Sequence, residues 1–253
     1  METVLSPTRR VQRVRHEIRR RDVQVARVEP LGACFVRVVF IGSALEGFTS
    51  LGFDDHLKFF CADPAGGEPA RRDYTPRHWD AARQELTIDF ALHGHGLASN
   101  WARQASAGQS AVIAGPRGSM IVPTDYAWHL LIGDATAAPA IGRRLAELPA
   151  EARVIVLVDL LDLAMLELDH CAVRPSVIQV QGDDALVAAV ASMALPPGEG
   201  FAWAAGESST MARVRDLLLV SKGHPREASR VAAYWKRGAA DFHEELNLPA
   251  SAT

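Results

Sequence analysis

Between Met120 and Trp128 the chain changes its pattern, and one sheet or one helical bundle cannot satisfy both sides of that change. Before it, apolar residues come in short β-branched or aromatic runs that often alternate with polar ones: VQVARV, CFVRVVFIG, HLKFFCA, RRDYTPRHW, ELTIDFAL and SAVIAGP. Turns rich in Gly, Pro and Asp, such as DPAGGEP, separate them. Six strands so spaced predict an antiparallel barrel or sandwich, interrupted by one short helix over LASNWARQA. After the change, the apolar strands WHLLIGD, RVIVLVDL, PSVIQVQG and GFAWAAGE alternate with helical segments. The helices are TAAPAIGRRLAEL, DDALVAAVASMAL capped by Asp183 or Asp184, and SSTMARVRDLL capped by Ser208 or Ser209. Strands apolar throughout their length belong in a parallel sheet covered on both faces. The expected fold class is therefore β + α/β. An antiparallel β-barrel domain spans residues 11–122 and an α/β parallel-sheet domain spans 127–253, with Pro123 and Thr124 as linker. The tail AADFHEELNLPASAT reads as a frayed helix.

Composition narrows the function classes. A net charge of −3 exerts no general attraction on nucleic acid or anionic membrane. The most apolar run, VIVLVDLLDLAMLEL, contains Asp159 and Asp162, so no membrane span is expected. No apolar segment of the kind a secretory leader needs follows the N-terminal arginines. The three cysteines are odd in number and form no C-x-x-C, which argues against a zinc site and fits the reducing cytoplasm. The arginine-rich RRVQRVRHEIRRRDVQVAR reads as a solvated, partly disordered lead-in, with attraction for an anionic ligand or partner as the alternative.

Three stretches carry chemistry. In RRDYTPRHWD, read as one strand, Arg72 and Tyr74 share a face, and Thr75 adds a hydroxyl. A guanidinium beside a ring suits a ligand with both a phosphate and a flat ring system; a surface strand with cross-strand charge pairs is the alternative. In DFALHGHGLASNWA, a strand ends at Leu92, Gly94 and Gly96 allow close backbone approach, and a helix starting near Ala98 or Ser99 offers N–H groups to a phosphate. His93 and His95 form an H-x-H with no carboxylate or cysteine ligand suggested nearby, so no metal site is expected. In LIGDATAAPAIG, a buried strand runs into Gly133 and Asp134, and a helix begins at Thr136 with Pro139 in its first turn. This is a dinucleotide-type strand–turn–helix without G-x-G-x-x-G. AAGESS places Gly206 and Glu207 at another strand's carboxyl end.

RDYTPR resembles the R-x-Y-T/S flavin motif of the ferredoxin-reductase-like superfamily. Together with HGHGLASNWA, GPRGS, GDATAAPAI, AGESS and YWKRG it makes the chain similar, from about Val11 to Gly238, to the siderophore-interacting proteins, or ferric-siderophore reductases. The resemblance implies an FAD-dependent reductase that passes electrons from NADPH or NADH to ferric iron in a siderophore and frees ferrous iron, with no residue acting as nucleophile or proton donor. It implies that Arg72, Asp73, Tyr74 and Thr75 contact FAD, with Arg72 on the pyrophosphate, Tyr74 on the ring or ribityl chain and Thr75 near flavin N5. Asp89, Phe90, Leu92 and His93 would line the cofactor, and Leu97, Ala98 and Ser99 would bind its phosphates. Asp134, Thr136, Gly206 and Glu207 would shape the nicotinamide site. Lys58, Arg117, Lys236 and Arg237 would attract an anionic ferric chelate. LGFDDHLKFF resembles the NADPH-linked branch. Asp159 would repel a 2′-phosphate if it lies there, and Arg143, Arg144 or Arg174 could bind one. The alternatives are a reductase that feeds a ferredoxin- or flavodoxin-type protein, and a non-enzymatic flavin or siderophore carrier.

Overall fold

The structure, a computed structural model, describes residues 10–61, 69–92, 96–239 and 244–245. Its first part contains β1 (Gln12–Arg15), β2 (Arg20–Leu31), β3 (Phe35–Ile41), β4 (Leu57–Cys61), β5 (Ala70–Tyr74), β6 (His78–Asp80), β7 (Glu85–Ala91), α1 (Leu97–Gln104), β8 (Ser110–Ala114) and β9 (Gly118–Ile121). Seven strands form one antiparallel sheet in the order β5-β4-β8-β2-β3-β7-β6. The alternation in β2 drives Val23 and Val25 inward and leaves Arg20, Asp22 and Gln24 outside. The sheet curls into a barrel, bringing Tyr74 of β5 to 4.3 Å from Phe90 of β7 between ring centroids. Phe40, Phe59 and Phe90 fill the interior, and Trp101 of α1 closes it at 4.6 Å from Phe59.

Two expectations for this part need correction. The arginine-rich lead-in is ordered over its described length. β1 pairs with β9 from Gln12↔Ile121 to Arg15↔Gly118, and β2 begins at Arg20, because its apolar alternation outweighs the surface charge. RRDYTPRHW is not one strand. Pro76 cannot donate a ladder hydrogen bond, so β5 stops at Tyr74 and β6 starts at His78.

The second part contains β10 (Trp128–Asp134), α2 (Ala138–Glu147), β11 (Val154–Asp159), β12 (Ser176–Val180), α3 (Asp183–Ser192), β13 (Gly200–Glu207), α4 (Ser208–Asp216), β14 (Ser229–Trp235) and β15 (Glu244–Glu245). Five strands run parallel in the order β12-β11-β10-β13-β14, with β15 antiparallel on the β14 edge. β14 is a parallel strand the sequence reading did not include, and Glu244–Glu245 is strand rather than frayed helix; the rest of that tail lies outside the described residues. The helix starts also shift. Gly182 is the N-cap of α3, and Glu207, not a serine, caps α4. α2 begins two residues after Thr136, at Ala138. The turn from β10 to α2 is tight: a Cβ on Gly133 would lie 2.3 Å from Ala137 Cβ and 2.8 Å from the Ala205 carbonyl oxygen. The strand order reverses between β10 and β13, which opens a crevice at their carboxyl ends.

The two parts share a packed boundary. Phe35 and Phe53 join the core under the parallel sheet, with Phe53 edge-on to Trp203 at 5.5 Å. Asp54 accepts hydrogen bonds from Arg230 and Tyr234. Arg143 donates to Ser50 Oγ at 2.7 Å and to the Pro76 carbonyl at 2.9 Å. Among the described residues no helix is long and apolar enough to cross a membrane.

Candidate functional site

A cavity of about 670 Å³ lies between the barrel's end strand and the carboxyl ends of the parallel strands. One wall comes from β4, β5 and the segment after it: Lys58, Arg71, Arg72, Asp73, Tyr74 and Thr75. Asp89 and Phe35 form its back. The opposite wall comes from Asp134, Thr136, Pro139, Asp159, Asp183 and Trp235, with Arg237 at the rim.

Strand register explains the first wall. Phe59 pairs with Arg72 and Leu57 with Tyr74, so Arg72 and Tyr74 lie on the inner face, as the i, i+2 spacing predicts. Lys58 pairs with Asp73 and Phe60 with Arg71, which puts Lys58, Asp73 and Arg71 on the outer face. β5 ends the sheet, so residues of both faces reach the cavity along its edge. Arg72 Nη1 donates to the Arg71 carbonyl at 2.9 Å. Burial among Phe59 and Phe90 pushes the Tyr74 hydroxyl well above its ordinary pKa, so it stays protonated. Lys58 Nζ lies 2.9 Å from Asp73 Oδ2.

The opposite wall is clasped by one half-buried carboxylate. Asp134 Oδ1 accepts from Thr136 N at 2.8 Å and Thr136 Oγ1 at 2.6 Å. Its Oδ2 accepts from Trp235 Nε1 at 2.8 Å and Glu207 N at 3.1 Å. Burial raises its pKa, and these four donors work against that rise. The clasp ties the ends of β10, β13 and β14, and it explains Gly206, where a Cβ would sit 2.7 Å from Asp134 Oδ2.

Glu207 caps α4. Its Oε2 accepts from Ser209 N at 2.7 Å, Ser209 Oγ at 2.5 Å and Thr210 N at 3.1 Å. Burial pushes this carboxyl up, but the donors outweigh it and bring the pKa down to about 2 from the usual 4.5. The cap therefore contributes stability that is complete above about pH 4.5 and is lost as pH falls toward about 2. Glu207→Gln should cost about 2–3 kcal/mol at neutral pH and little at pH 2, measured by denaturant unfolding across that range. A cost that does not change with pH would show that the charge is not what stabilises the helix start.

The structure brings nine of the sequence-derived candidates together. Lys58, Arg72, Asp73, Tyr74, Thr75, Asp89, Asp134, Thr136 and Arg237 line the cavity. Gly206 and Glu207 sit behind the wall and shape it through Asp134 and α4. Phe90 is in the barrel core, Ala98 and Ser99 are buried at the start of α1, and Leu92 and Leu97 flank that core; none of the five lines the cavity. His93 lies outside the described residues, as do Gly94 and His95. Arg117 is exposed at the turn after β8, and Lys236 is exposed beyond β14, so only two of the four proposed patch cations reach the cavity. Asp159 does face it. The arginines considered for a 2′-phosphate are held elsewhere: Arg143 on Ser50 and Pro76, Arg144 on the Pro123 carbonyl at 2.7 Å, and Arg174 on the Cys171 carbonyl at 2.7 Å. Sequence reasoning did not include Tyr234 and Trp235 as lining residues. YWKRG was their signal, but without β14 as a strand its carboxyl end had no place in the crevice.

The residues fit a bound flavin dinucleotide. Inner-face Arg72 supplies a fork for a pyrophosphate, Tyr74 and Phe35 supply aromatic surface, and the cavity volume falls in the range of cofactor sites. Among the described residues no cluster of His, Cys, Asp and Glu could hold a metal ion.

Residues 126–238 match the family described as siderophore-interacting protein, and residues 61–120 match the siderophore-interacting FAD-binding domain. The chain is 38% identical over 245 residues to the NADPH-dependent ferric-chelate reductase of Escherichia coli (strain K12), covering 88% of this chain and 96% of that protein. It is 29% identical to the ferric vibriobactin reductase ViuB of Vibrio cholerae, over 84% of this chain and 89% of that one. Among solved structures, a siderophore utilization protein from T. fusca superposes with a TM-score of 0.85 at 28% identity, covering 92% of this chain and 98% of that chain.

Proposed function

We propose, from the premise that the chain belongs to the siderophore-interacting protein family, that it is an FAD-dependent reductase carrying electrons from NADPH to ferric iron held in a siderophore. The observation that carries this reading is one cavity with two unlike walls: Arg72, Tyr74 and Thr75 on one side and the ends of the parallel strands on the other. A carrier would have no use for the second wall.

When bound, FAD supplies the conversion between a two-electron donor and the one-electron acceptor Fe³⁺. The chain's own residues bind and orient. Arg72 would hold the pyrophosphate, Tyr74 would support the flat ring, and Thr75 would offer its hydroxyl to the ring's edge. Thr136 and the wall clasped by Asp134 would receive the nicotinamide. Lys58 and Arg237 lie where they would draw in an anionic chelate. Reduction turns a hard cation into one that oxygen ligands hold far less tightly, so the chelate lets its iron go. Three unbridged cysteines support a cytoplasmic site of action.

Anaerobic mixing of the yellow protein with NADPH, followed by ferric chelate and a ferrous trap, tests the reading. Bleaching followed by trapped Fe²⁺ is the expected result. A protein that binds no flavin, or that bleaches and reduces no chelate, would overturn it. NADPH should bleach the flavin faster than NADH, as the name of the Escherichia coli relative supports. A faster rate with NADH would mean that Asp159 governs the choice of nucleotide.

Lys58→Ala should raise the KM for an anionic ferric chelate and flatten its dependence on salt, because the Debye length falls from about 10 Å at 0.1 M to about 3 Å at 1 M. FAD content and bleaching by NADPH should stay near wild type. Arg117→Ala should have the smaller effect, since Arg117 does not line the cavity. Steady-state kinetics between 0.05 and roughly 1 M salt read both. If neither variant changes KM or slope, the chelate enters elsewhere.

A further inference from the structure

Behind the cavity wall, four charged side chains that sequence reasoning never connected meet from four separate segments. Arg37 of β3 places Nε 2.7 Å from Asp89 Oδ1 and Nη2 2.8 Å from Asp89 Oδ2. The same guanidinium donates from Nη1 and Nη2 to Glu167 Oε1 and Oε2, both at 2.7 Å. Arg77, in the segment between β5 and β6, donates from Nη2 to Glu167 Oε2 at 2.7 Å and lies 3.8 Å from Asp89 Oδ2 through Nε. Asp89 lines the cavity, and Thr75, two residues before Arg77, lines it too. Glu167 is the one member that comes from the parallel-sheet part of the chain.

Two features mark Glu167 as more than a surface partner. Its φ of 48° and ψ of 43° put a side-chain-bearing residue in the left-handed region, between the turns Leu163–Leu166 and Leu168–His170. Such a conformation persists where the surroundings over-determine it, and three charge-assisted hydrogen bonds do so here. The charge count is also closed. Asp89 alone balances one of two arginines that are largely out of water; Glu167 balances the second. Burial pushes the Glu167 carboxyl up, and Arg37 and Arg77 together pull it below the usual range, so it is ionised at neutral pH. Room for Arg77 is made by Gly142 of α2, where a Cβ would lie 3.3 Å from Arg77 Nη2.

The geometry points to Glu167 as a positioning residue that keeps the wall behind Asp89 electrically neutral and tethers the Thr75–Arg77 segment to it. This inference rests on the reading that the cavity holds a flavin. Removing the Glu167 charge leaves one uncompensated arginine behind the wall, and a net positive charge there favours the electron-rich, reduced form of a bound flavin. The potential of that flavin is therefore set partly by a residue that never touches it.

The test is the reduction potential of the bound flavin, measured by equilibration with reference dyes. Glu167→Gln should retain FAD and shift the potential upward by at least a tenfold change in the reduced-to-oxidised ratio, about 30 mV for a two-electron couple. Adding Arg77→Met to Glu167→Gln removes the surplus cation and should return the potential to within a factor of two of wild type in that ratio. Glu167→Gly accepts the left-handed backbone without strain, so it covers the case in which the glutamine variant folds poorly, and it should shift the potential the same way. In cofactor-free protein, the Arg77 amide, which donates to the Thr87 carbonyl at 2.9 Å, should exchange faster in Glu167→Gln. A wild-type potential in both single variants, or a shift that Arg77→Met fails to reverse, overturns the charge-balancing role. Unchanged exchange overturns the tether. A wild-type chain that binds no flavin would instead fail the functional reading, and the exchange result would still decide whether Glu167 holds the wall.

Discussion

Arg72→Ala should purify nearly colourless, with FAD bound roughly 10- to 150-fold more weakly than in wild type, the loss expected for a charge-assisted hydrogen-bond pair worth about 1.5–3 kcal/mol. The register is what makes the expectation specific. Arg72 stands opposite Phe59 on the inner face with Tyr74, whereas Arg71 stands opposite Phe60 on the outer face. Two adjacent arginines line one cavity from two sides of a strand, and only one of them shares Tyr74's face. Arg71→Ala should therefore weaken FAD much less than Arg72→Ala. Arg72→Lys should fall between, because an ammonium keeps the charge but loses the planar fork. Isothermal titration of FAD into cofactor-free protein reads all three, and thermal unfolding of the same samples shows whether the fold survives. Equal losses at Arg71 and Arg72 would mean that the phosphates lie along the strand's edge without regard to face. No loss at Arg72 would remove β5 from the cofactor site.

What the sequence made legible is what period and turn chemistry encode. The alternation in VQVARV and ELTIDFAL and the unbroken apolar run in GFAWAAGE were enough to separate an antiparallel part from a parallel one. The i, i+2 spacing was enough to put Arg72 and Tyr74 on one face. What escaped depends on partners distant in the chain. β1 is four residues long with no apolar stripe, and it exists because β9 offers it an edge. β14 reads as a strand only once β13 is there to pair with it. Arg37, Arg77, Asp89 and Glu167 are scattered over 130 residues, and no local pattern marks them as one cluster. The Asp134 clasp was half visible: its acid and Thr136 are two residues apart in sequence, but the Trp235 indole that completes it arrives from 101 residues away. Loop-end and surface cations were the least legible, since exposure alone does not say which way Arg117 or Lys236 lies from a crevice.

That clasp carries the second large effect. Asp134→Ala would leave the Trp235 indole N–H, the Glu207 amide and the Thr136 amide and hydroxyl without the carboxylate that now accepts from all four. Three of those groups belong to the starts of neighbouring segments, the two of Thr136 to the turn into α2 and that of Glu207 to the cap of α4, so the damage spreads to both helix entries. These donors are half-buried or, at Glu207, buried, and leaving them unsatisfied costs up to about 1–3 kcal/mol each before relaxation and water entry, so a net loss of about 2–4 kcal/mol is expected. In a chain of this size that lowers the Tm by roughly 4–16 °C. Asp134→Asn should recover only part of it, because an amide nitrogen would face the donor pair of Trp235 and Glu207 or the donor pair of Thr136. The defect should also be one-sided. The barrel wall with Arg72 and Tyr74 makes none of these bonds, so the variant should still bind FAD and should still be bleached by dithionite, while bleaching by NADPH slows at least tenfold. Calorimetry, flavin absorbance and stopped-flow reduction separate the three effects. A variant that melts like wild type and is bleached by NADPH at the wild-type rate would mean that water replaces the carboxylate at no cost, and that the ends of β10, β13 and β14 do not need it to hold the nucleotide.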